Sequence, residues 1–515
     1  MNDKKLTVAC STEYKDYPFK EKLDIWTLIS LKAPSLGMTL DEKEHRKRAP
    51  IDLVVVIDKS GSMAGEKLAL VKKTLEFVVS QLNEKDRLCL ITFDTSVYLD
   101  FKLTPMTPMN KYQTLKIIKD ISPGSMTNLC GGLMKGLCEV IDRADEEKNE
   151  VASVLLFTDG FANKGITETK GIIAAMKDPK TYDGPSSMLS NYSDFQIIRH
   201  SSRTYTPHQA WLKNIYSNNK EESQTAKYTI GIVGPKTADA SIYTFGFGSN
   251  HNAQMLKEIS DAGSGMYYYI ENVDMIAEAF GQCLGGLLST VAQGIQVEIM
   301  MENKVSIKKV HSNQPTEKQG SSIKINMGDL QSEESRDVVL ELSIDSLDSP
   351  TDCQTLFNIK LNYFNVINEC LESSNAVLTV LRPEKCEDHN KESSNIDLNK
   401  QVLRINVTKA MNNAYEKAEE GDFSGAADFL EEQLLVLNSV SSRLAEDDQL
   451  QCMLADVALC GKVTKKAGWF EKGRKALLNT LQQHERQRSS NLKSKSYATK
   501  EQCYGRVAAK GFVLK

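Results

Sequence analysis

The side chains that could do chemistry are hard oxygen donors. Asp58, Ser60 and Ser62 fall in Asp58-Lys59-Ser60-Gly61-Ser62, Thr127 closes Gly124-Ser125-Met126-Thr127, and Asp159 lies in Thr158-Asp159-Gly160. Carboxylates and hydroxyls suit Mg²⁺ or another hard divalent cation such as Mn²⁺ or Ca²⁺, with waters completing the shell. The carboxylates of Asp58 and Asp159 nearly neutralise such an ion. The hydroxyls are neutral and leave it electrophilic toward a carboxylate from outside. At ~4 Å two unit charges attract by on the order of 4 kcal/mol at an effective dielectric of about 20, and a divalent ion attracts more strongly. The pattern therefore points to capture of an acidic side chain on a protein partner. It does not point to catalysis: no base is evident beside these oxygens, and no Ser/His/Asp or Cys/His set can be assembled from the sequence.

Donors this far apart in the chain meet only if the fold brings their turns to one edge. Ile51–Ile57 is an apolar, β-branched run that suits a strand buried on both faces of a parallel sheet. It breaks at Asp58, and Leu68, Val71, Leu75, Val78, Val79 and Leu82 then recur at helical spacing. Arg87–Phe93 and Val151–Phe157 are two more buried strands, the second ending at Thr158-Asp159, while Ser122–Asn128 is a turn feeding a helix over 129–144. A further strand over 241–248, helices over 112–121, 167–176, 254–262 and 274–288, and short strands at 97–103 and 265–270 complete an alternation of strands and helices. That alternation argues for a doubly wound, mostly parallel α/β sheet. Right-handed crossovers gather the strand-to-helix turns on one edge, where open sheets bind ligands. Helix capping by Asp58 and Ser60 would leave Thr127 and Asp159 on that edge unexplained.

Length and composition bound the rest. At 515 residues the chain exceeds one core, so two to four domains are expected. An apolar fraction of 41% with 25% charged residues is that of a soluble globular protein. With 63 basic against 68 acidic side chains there is no global electrostatic pull toward nucleic acid or anionic membrane. No signal-peptide core follows Met1, and no run approaches the ~20 apolar residues of a membrane span. The 11 cysteines form no C-x-x-C pair, which speaks against structural zinc and for reduced thiols in a cytoplasmic protein. Gly61–Lys67 lacks phosphate-loop spacing. Tyr267-Tyr268-Tyr269 reads as a sheet-edge strand packed by aromatics, and His45-Arg46-Lys47-Arg48 as a solvated linker.

The Asp58-x-Ser60-x-Ser62 turn, the isolated Thr127 and Thr158-Asp159-Gly160 together resemble the metal-ion-dependent adhesion site of the von Willebrand factor type A family. The resemblance covers about 50–290. It implies that Ser60, Ser62 and Thr127 ligate the ion directly and that Asp58 and Asp159 often act through water. One departure stands out: the family commonly has Gly-Gly or Gly-Ser before the threonine, and Met126 at that position is bulky enough to shift the loop. Asp86-Arg87-Leu88, Thr92-Phe93 and Phe245-Gly246-Phe247-Gly248 are similar to the subgroup with a flanking β-sandwich, an intein-like region and a helical tail. The chain end, Phe512-Val513-Leu514-Lys515, offers nothing for splicing.

The expected architecture is thus an α/β unit at 50–290 inserted in an antiparallel β-sandwich and followed by a helical domain. Residues 1–49 hold a strand at 23–31 and a linker. Residues 178–228 are an insert, 291–383 the sandwich, 384–394 a linker, and 395–515 a small helical bundle docked on the sandwich. The expected function is that of a non-catalytic intracellular interaction module. The alternatives are a static component of a large assembly, held by the 178–228 insert and the helical tail, and an adaptor subunit of a ubiquitin-ligase complex.

Overall fold

The computed structural model describes residues 4–36, 48–144, 146–182, 240–386, 394–439, 447–464 and 468–514. Most of the 178–228 insert lies outside the described residues, as do His45, Arg46 and Lys47. The chain opens with β1 (Thr7–Thr12) and β2 (Leu23–Lys32). The α/β unit follows: β3 (Ile51–Asp58), α1 (Glu66–Gln81), β4 (Arg87–Phe93), β5 (Val97–Pro105), α2 (Pro108–Asp120), α3 (Leu129–Ile141) and β6 (Val151–Thr158). It continues through α4 (Thr169–Lys177), β7 (Ser241–Phe247), α5 (Ala253–Ala262), β8 (Tyr267–Ile270) and α6 (Ile276–Leu287). Its strands lie in the order β5-β4-β3-β6-β7-β8, parallel except for β5.

Every residue of β3, β4 and β6 is buried, which is why these strands read as unbroken apolar runs. Alternation assigns their side chains to two cores. Leu53, Val55 and Ile57 face α1 and α6, with Phe157 stacked on Phe280 at 4.0 Å. Val54 and Val56 face α3, whose Leu133 and Leu137 fill the other side with Leu256 and Ile259 of α5. Chain order diverges on either side of β3, toward β4 and toward β6, so the carboxyl ends of β3 and β6 flank the switch point of the sheet.

Two antiparallel sheets follow, built from β9 (Thr290–Met301), β10 (Val305–His311), β11 (Thr316–Gln319), β12 (Ser322–Gln331), β13 (Ser335–Ile344), β14 (Thr351–Asn365) and β15 (Cys370–Arg382). One has the order β1-β2-β13-β10 and the other β11-β12-β9-β14-β15. Strand β2 pairs with β13 from Leu23↔Ile344 to Lys32↔Ser335, so the chain enters and leaves the α/β unit through one sandwich. Ile29 and Leu340 from one sheet share a core with Val297 and Ile359 from the other.

The helices α7 (Ile396–Glu419), α8 (Phe423–Asn438), α9 (Asp448–Val463), α10 (Arg474–Arg486) and α11 (Lys500–Val513) complete the fold. Their docking corrects the expectation of a bundle on the sandwich alone. Leu398 and Ile405 of α7 do pack on Leu28 and Val339 of the sandwich. The later helices clamp the α/β unit instead. Gln482 of α10 accepts from the Tyr267 N–H at 2.7 Å and Asn479 donates to the Tyr267 carbonyl at 2.7 Å. The aromatic edge strand β8 is thereby capped by helix side chains, which closes an edge that would otherwise template another strand. Helix α11 lies against α6 so closely that a Cβ on Gly281 would stand 2.2 Å from the Gly505 carbonyl oxygen. Among the described residues no helix is long and apolar enough to cross a membrane. All eleven cysteines are free.

Candidate metal centre

The five expected donors are brought to one edge of the α/β sheet. Asp58 ends β3 and is fully buried. Its Oδ1 accepts from the Ser60 N–H at 2.8 Å and its Oδ2 from the Thr158 hydroxyl at 2.6 Å. The Asx turn this makes aims Ser60 back over the strand end. Ser60 and Ser62 hydroxyls are 3.1 Å apart, and Ser62 donates to Asp159 Oδ1 at 2.6 Å. Asp159, one residue beyond β6, is 1% exposed. Thr127 joins from the third turn: a Cβ on Gly160 would stand 3.6 Å from both the Ser62 and the Thr127 hydroxyl oxygens.

Backbone contacts hold the three turns in register. The Gly61 N–H donates to the Ser125 carbonyl and the Gly124 N–H to the Lys59 carbonyl, at 3.1 and 2.6 Å. Thr127 donates its N–H to Asn163 Oδ1 at 2.8 Å, and Asn163 returns its own N–H to the Thr127 carbonyl at 3.1 Å. Gly124 is required here, since a Cβ would fall 1.9 Å from Asp94 Oδ2. Met126, expected to disturb the loop, instead has an exposed side chain, and its N–H donates to the Thr95 hydroxyl at 3.3 Å. Asp58 and Ser60 do not act as caps of α1: its cap is Gly65, with φ at 84° and no side-chain cap bond.

Electrostatically the cluster is short of positive charge. Burial pushes the Asp58 carboxyl up to about 6, the hydrogen bonds from Ser60 and Thr158 oppose this, and the Asp159 charge adds to it. Among the described residues Asp58 has no ion pair, and Asp159 has Lys67, whose ammonium contacts Asp159 Oδ2. Buried carboxylates without full compensation are costly, and a hard cation is the group that this donor set fits. Among the described residues no three His, Cys, Asp or Glu side chains gather as metal ligands, so a cation would depend on the hydroxyls as much as on the carboxylates. Sequence reasoning missed Lys67 and Asn163. Lys67 had one available signal, its place in the first turn of the helix that leaves the Asp58 turn.

Residues 52–282 match the family model of the von Willebrand factor type A domain. The E3 ubiquitin-protein ligase WAV3 of Arabidopsis thaliana is 26% identical over 308 residues, covering 58% of this chain and 32% of that protein. Inter-alpha-trypsin inhibitor heavy chain H3 of Mus musculus is 35% identical over 122 residues, covering 22% of this chain and 14% of that one. The matched stretches thus span a third or less of these relatives. Among solved structures, a von Willebrand factor type A protein from Catenulispora acidiphila superposes with a TM-score of 0.59 at 11% identity, covering 88% of this chain and 90% of that one. The ArnB paralog VWA2 from Sulfolobus acidocaldarius gives 0.53 at 13% identity, covering 93% and 98%. At such identities the likeness bears on fold alone.

Proposed function

We propose that this chain, which carries a von Willebrand factor type A domain at residues 52–282, is a non-catalytic protein-interaction module that captures an acidic partner side chain through a divalent cation. Ser60, Ser62 and Thr127 would hold Mg²⁺, or Mn²⁺ or Ca²⁺, directly, with Asp58 and Asp159 acting through water. When bound, the ion supplies an electrophilic position for an outside carboxylate. The observation that carries this reading is the Asp58–Ser60–Ser62–Asp159 chain of oxygens, in which Asp58, Ser60 and Asp159 are buried and Ser62 is exposed, with one ammonium, that of Lys67, paired to it among the described residues. Asp58, Asp159 and Lys67 sum to one negative charge, so a loaded site would carry one positive charge, which an acidic partner neutralises. The free cysteines support a reducing, intracellular setting.

Calorimetric titration tests it. Wild type should take up Mg²⁺, Asp58→Ala should not, and both should keep the same circular dichroism. Partner recovery should follow the metal, falling in EDTA and in the variant alike. A wild-type protein that gives no heat with Mg²⁺, Mn²⁺ or Ca²⁺ would sink the reading.

A second reading, an adaptor in a ubiquitin-ligase complex, draws on the similarity to WAV3 over 58% of this chain. On that reading the chain incubated with ubiquitin, activating enzyme and conjugating enzyme makes no conjugates alone, and a ligase recovered with it does. Conjugates formed by the purified chain would contradict its non-catalytic character.

A further inference from the structure

We propose that Lys67 is a built-in counter-cation of the candidate metal centre: it shares Asp159 with the incoming ion, holds the cluster together when metal is withheld and keeps metal affinity low. This rests on the metal-dependent reading above.

Lys67 is the second residue of α1, where the helix macrodipole disfavours a positive charge. Its position is therefore not explained by the helix it belongs to. Its ammonium is nevertheless turned onto the buried Asp159 carboxylate and also donates to the Ser62 carbonyl at 3.3 Å. Both ends of that contact belong to the cluster. Lys59, closer in sequence to Asp58, is directed elsewhere, with its ammonium 3.8 Å from the centre of the Tyr98 ring. Each Asp159 oxygen then already has a partner, Oδ1 the Ser62 hydroxyl and Oδ2 the Lys67 ammonium. A cation that draws on Asp159 shares this carboxylate with the ammonium or displaces it. Both routes cost affinity, because like charges a few ångströms apart repel strongly in a partly desolvated site. The Lys67 side chain is 33% exposed, so it has room to swing outward while Asp159 stays buried.

The variants are Lys67→Gln, which removes the charge, and Lys67→Arg, which keeps it. Mg²⁺ affinity is measured by calorimetry, and thermal unfolding is followed in EDTA and in saturating Mg²⁺. Lys67→Gln should bind Mg²⁺ about tenfold more tightly than wild type, whereas Lys67→Arg should stay within about twofold. In EDTA, Lys67→Gln should melt below wild type or fail to fold, and saturating Mg²⁺ should remove the difference. Wild-type binding of Mg²⁺ with unchanged or weaker binding by Lys67→Gln overturns the counter-cation role and leaves the metal reading standing. Absence of heat in all three proteins removes both.

Discussion

Strand β3 buries a carboxylate at each end, and the two ends are treated differently. Asp52 and Asp58 are both fully buried. Asp52 accepts from Arg87 Nε at 2.7 Å, from Arg143 Nη1 at 2.8 Å and from the Asn149 N–H at 3.2 Å, so two guanidiniums surround it. Among the described residues Asp58 accepts from the Ser60 N–H and from hydroxyls, with no ion pair. The neighbouring carboxylates differ in how they are held rather than in charge: Asp86, beside Asp52, is gripped through both oxygens by Arg48, with Nη1 at 2.8 Å, whereas Asp159, beside Asp58, meets Lys67 through one oxygen. The strand, depth and residue type are shared, so burial alone does not mark a functional site. The missing counter-charge marks it. The amino end is closed by arginines into a structural joint. The carboxyl end is left with a negative charge and a fringe of hydroxyls, an arrangement that stores demand for a cation.

The largest expected effect breaks the joint. Asp52→Asn leaves Arg87 and Arg143 buried without a full counter-charge, and removal of one partner from such a cluster costs about 3–5 kcal/mol. Glu147, 3.6 Å from Arg87 but exposed, compensates little. Urea unfolding at neutral pH should show the loss in EDTA and in Mg²⁺ alike. Mg²⁺ affinity of the folded variant should match wild type, because six residues of strand place Asp58 roughly 20 Å away. A loss below ~1 kcal/mol would show that the two ends of β3 are not managed differently.

How much of this was legible in the sequence follows from the range of each interaction. The apolar runs of β3, β4 and β6 carry their own burial pattern, and each polar turn of the site lies next to one of them or opens a helix. The donors were therefore readable from local order plus one topological rule. Lys67 was not, because its contact to Asp159 spans 92 residues and its place in the first turn of α1 puts it near the Asp58 turn without naming its partner. The clamp of α11 on α6 escaped for the same reason: Gly281 and Gly505 are each unremarkable until the two helices are superposed. Helix α7 begins at Ile396, at the expected start of the helical domain, and its Gln401 and Arg404 are buried in what looks like a polar face. Arg404 donates to Gln401 at 2.7 Å and to the His484 carbonyl at 3.0 Å.

A third buried ionisable group sharpens the comparison by taking another route. His251 follows β7 on the same edge as Asp58 and is 2% exposed. Its Nδ1 donates to the Phe247 carbonyl at 3.2 Å and its Nε2 accepts from the Tyr267 hydroxyl at 2.6 Å, which the neutral ring satisfies. Burial holds its pKa down to about 3, with the Lys475 charge adding to the effect. The unfolded chain takes up a proton below the ordinary value of about 6.5 and the folded chain does not. Stability from this group is complete above that pH and is lost as pH falls toward 3, at up to about 1.4 kcal/mol per pH unit. His251→Gln should flatten that part of the stability–pH curve measured in EDTA. An unchanged slope would mean that the ring is charged in the fold.

The smallest effect is the most discriminating, because its sign is opposite to that of the first. Asp58→Asn keeps the shape and the bond from the Ser60 N–H while removing a buried charge that lacks an ion pair among the described residues. The Thr158 hydroxyl loses its carboxylate acceptor but has the Gly160 carbonyl at 3.5 Å. In EDTA the variant should therefore be as stable as wild type or more stable, by about 1 kcal/mol. In saturating Mg²⁺ the order should reverse, since wild type gains the binding free energy and the variant does not. The same chemical change made at the two ends of one strand would then stabilise at one end and destabilise at the other. If Asp58→Asn instead loses several kcal/mol in EDTA, the carboxyl end is a structural joint like the amino end, and the demand for a cation disappears with it.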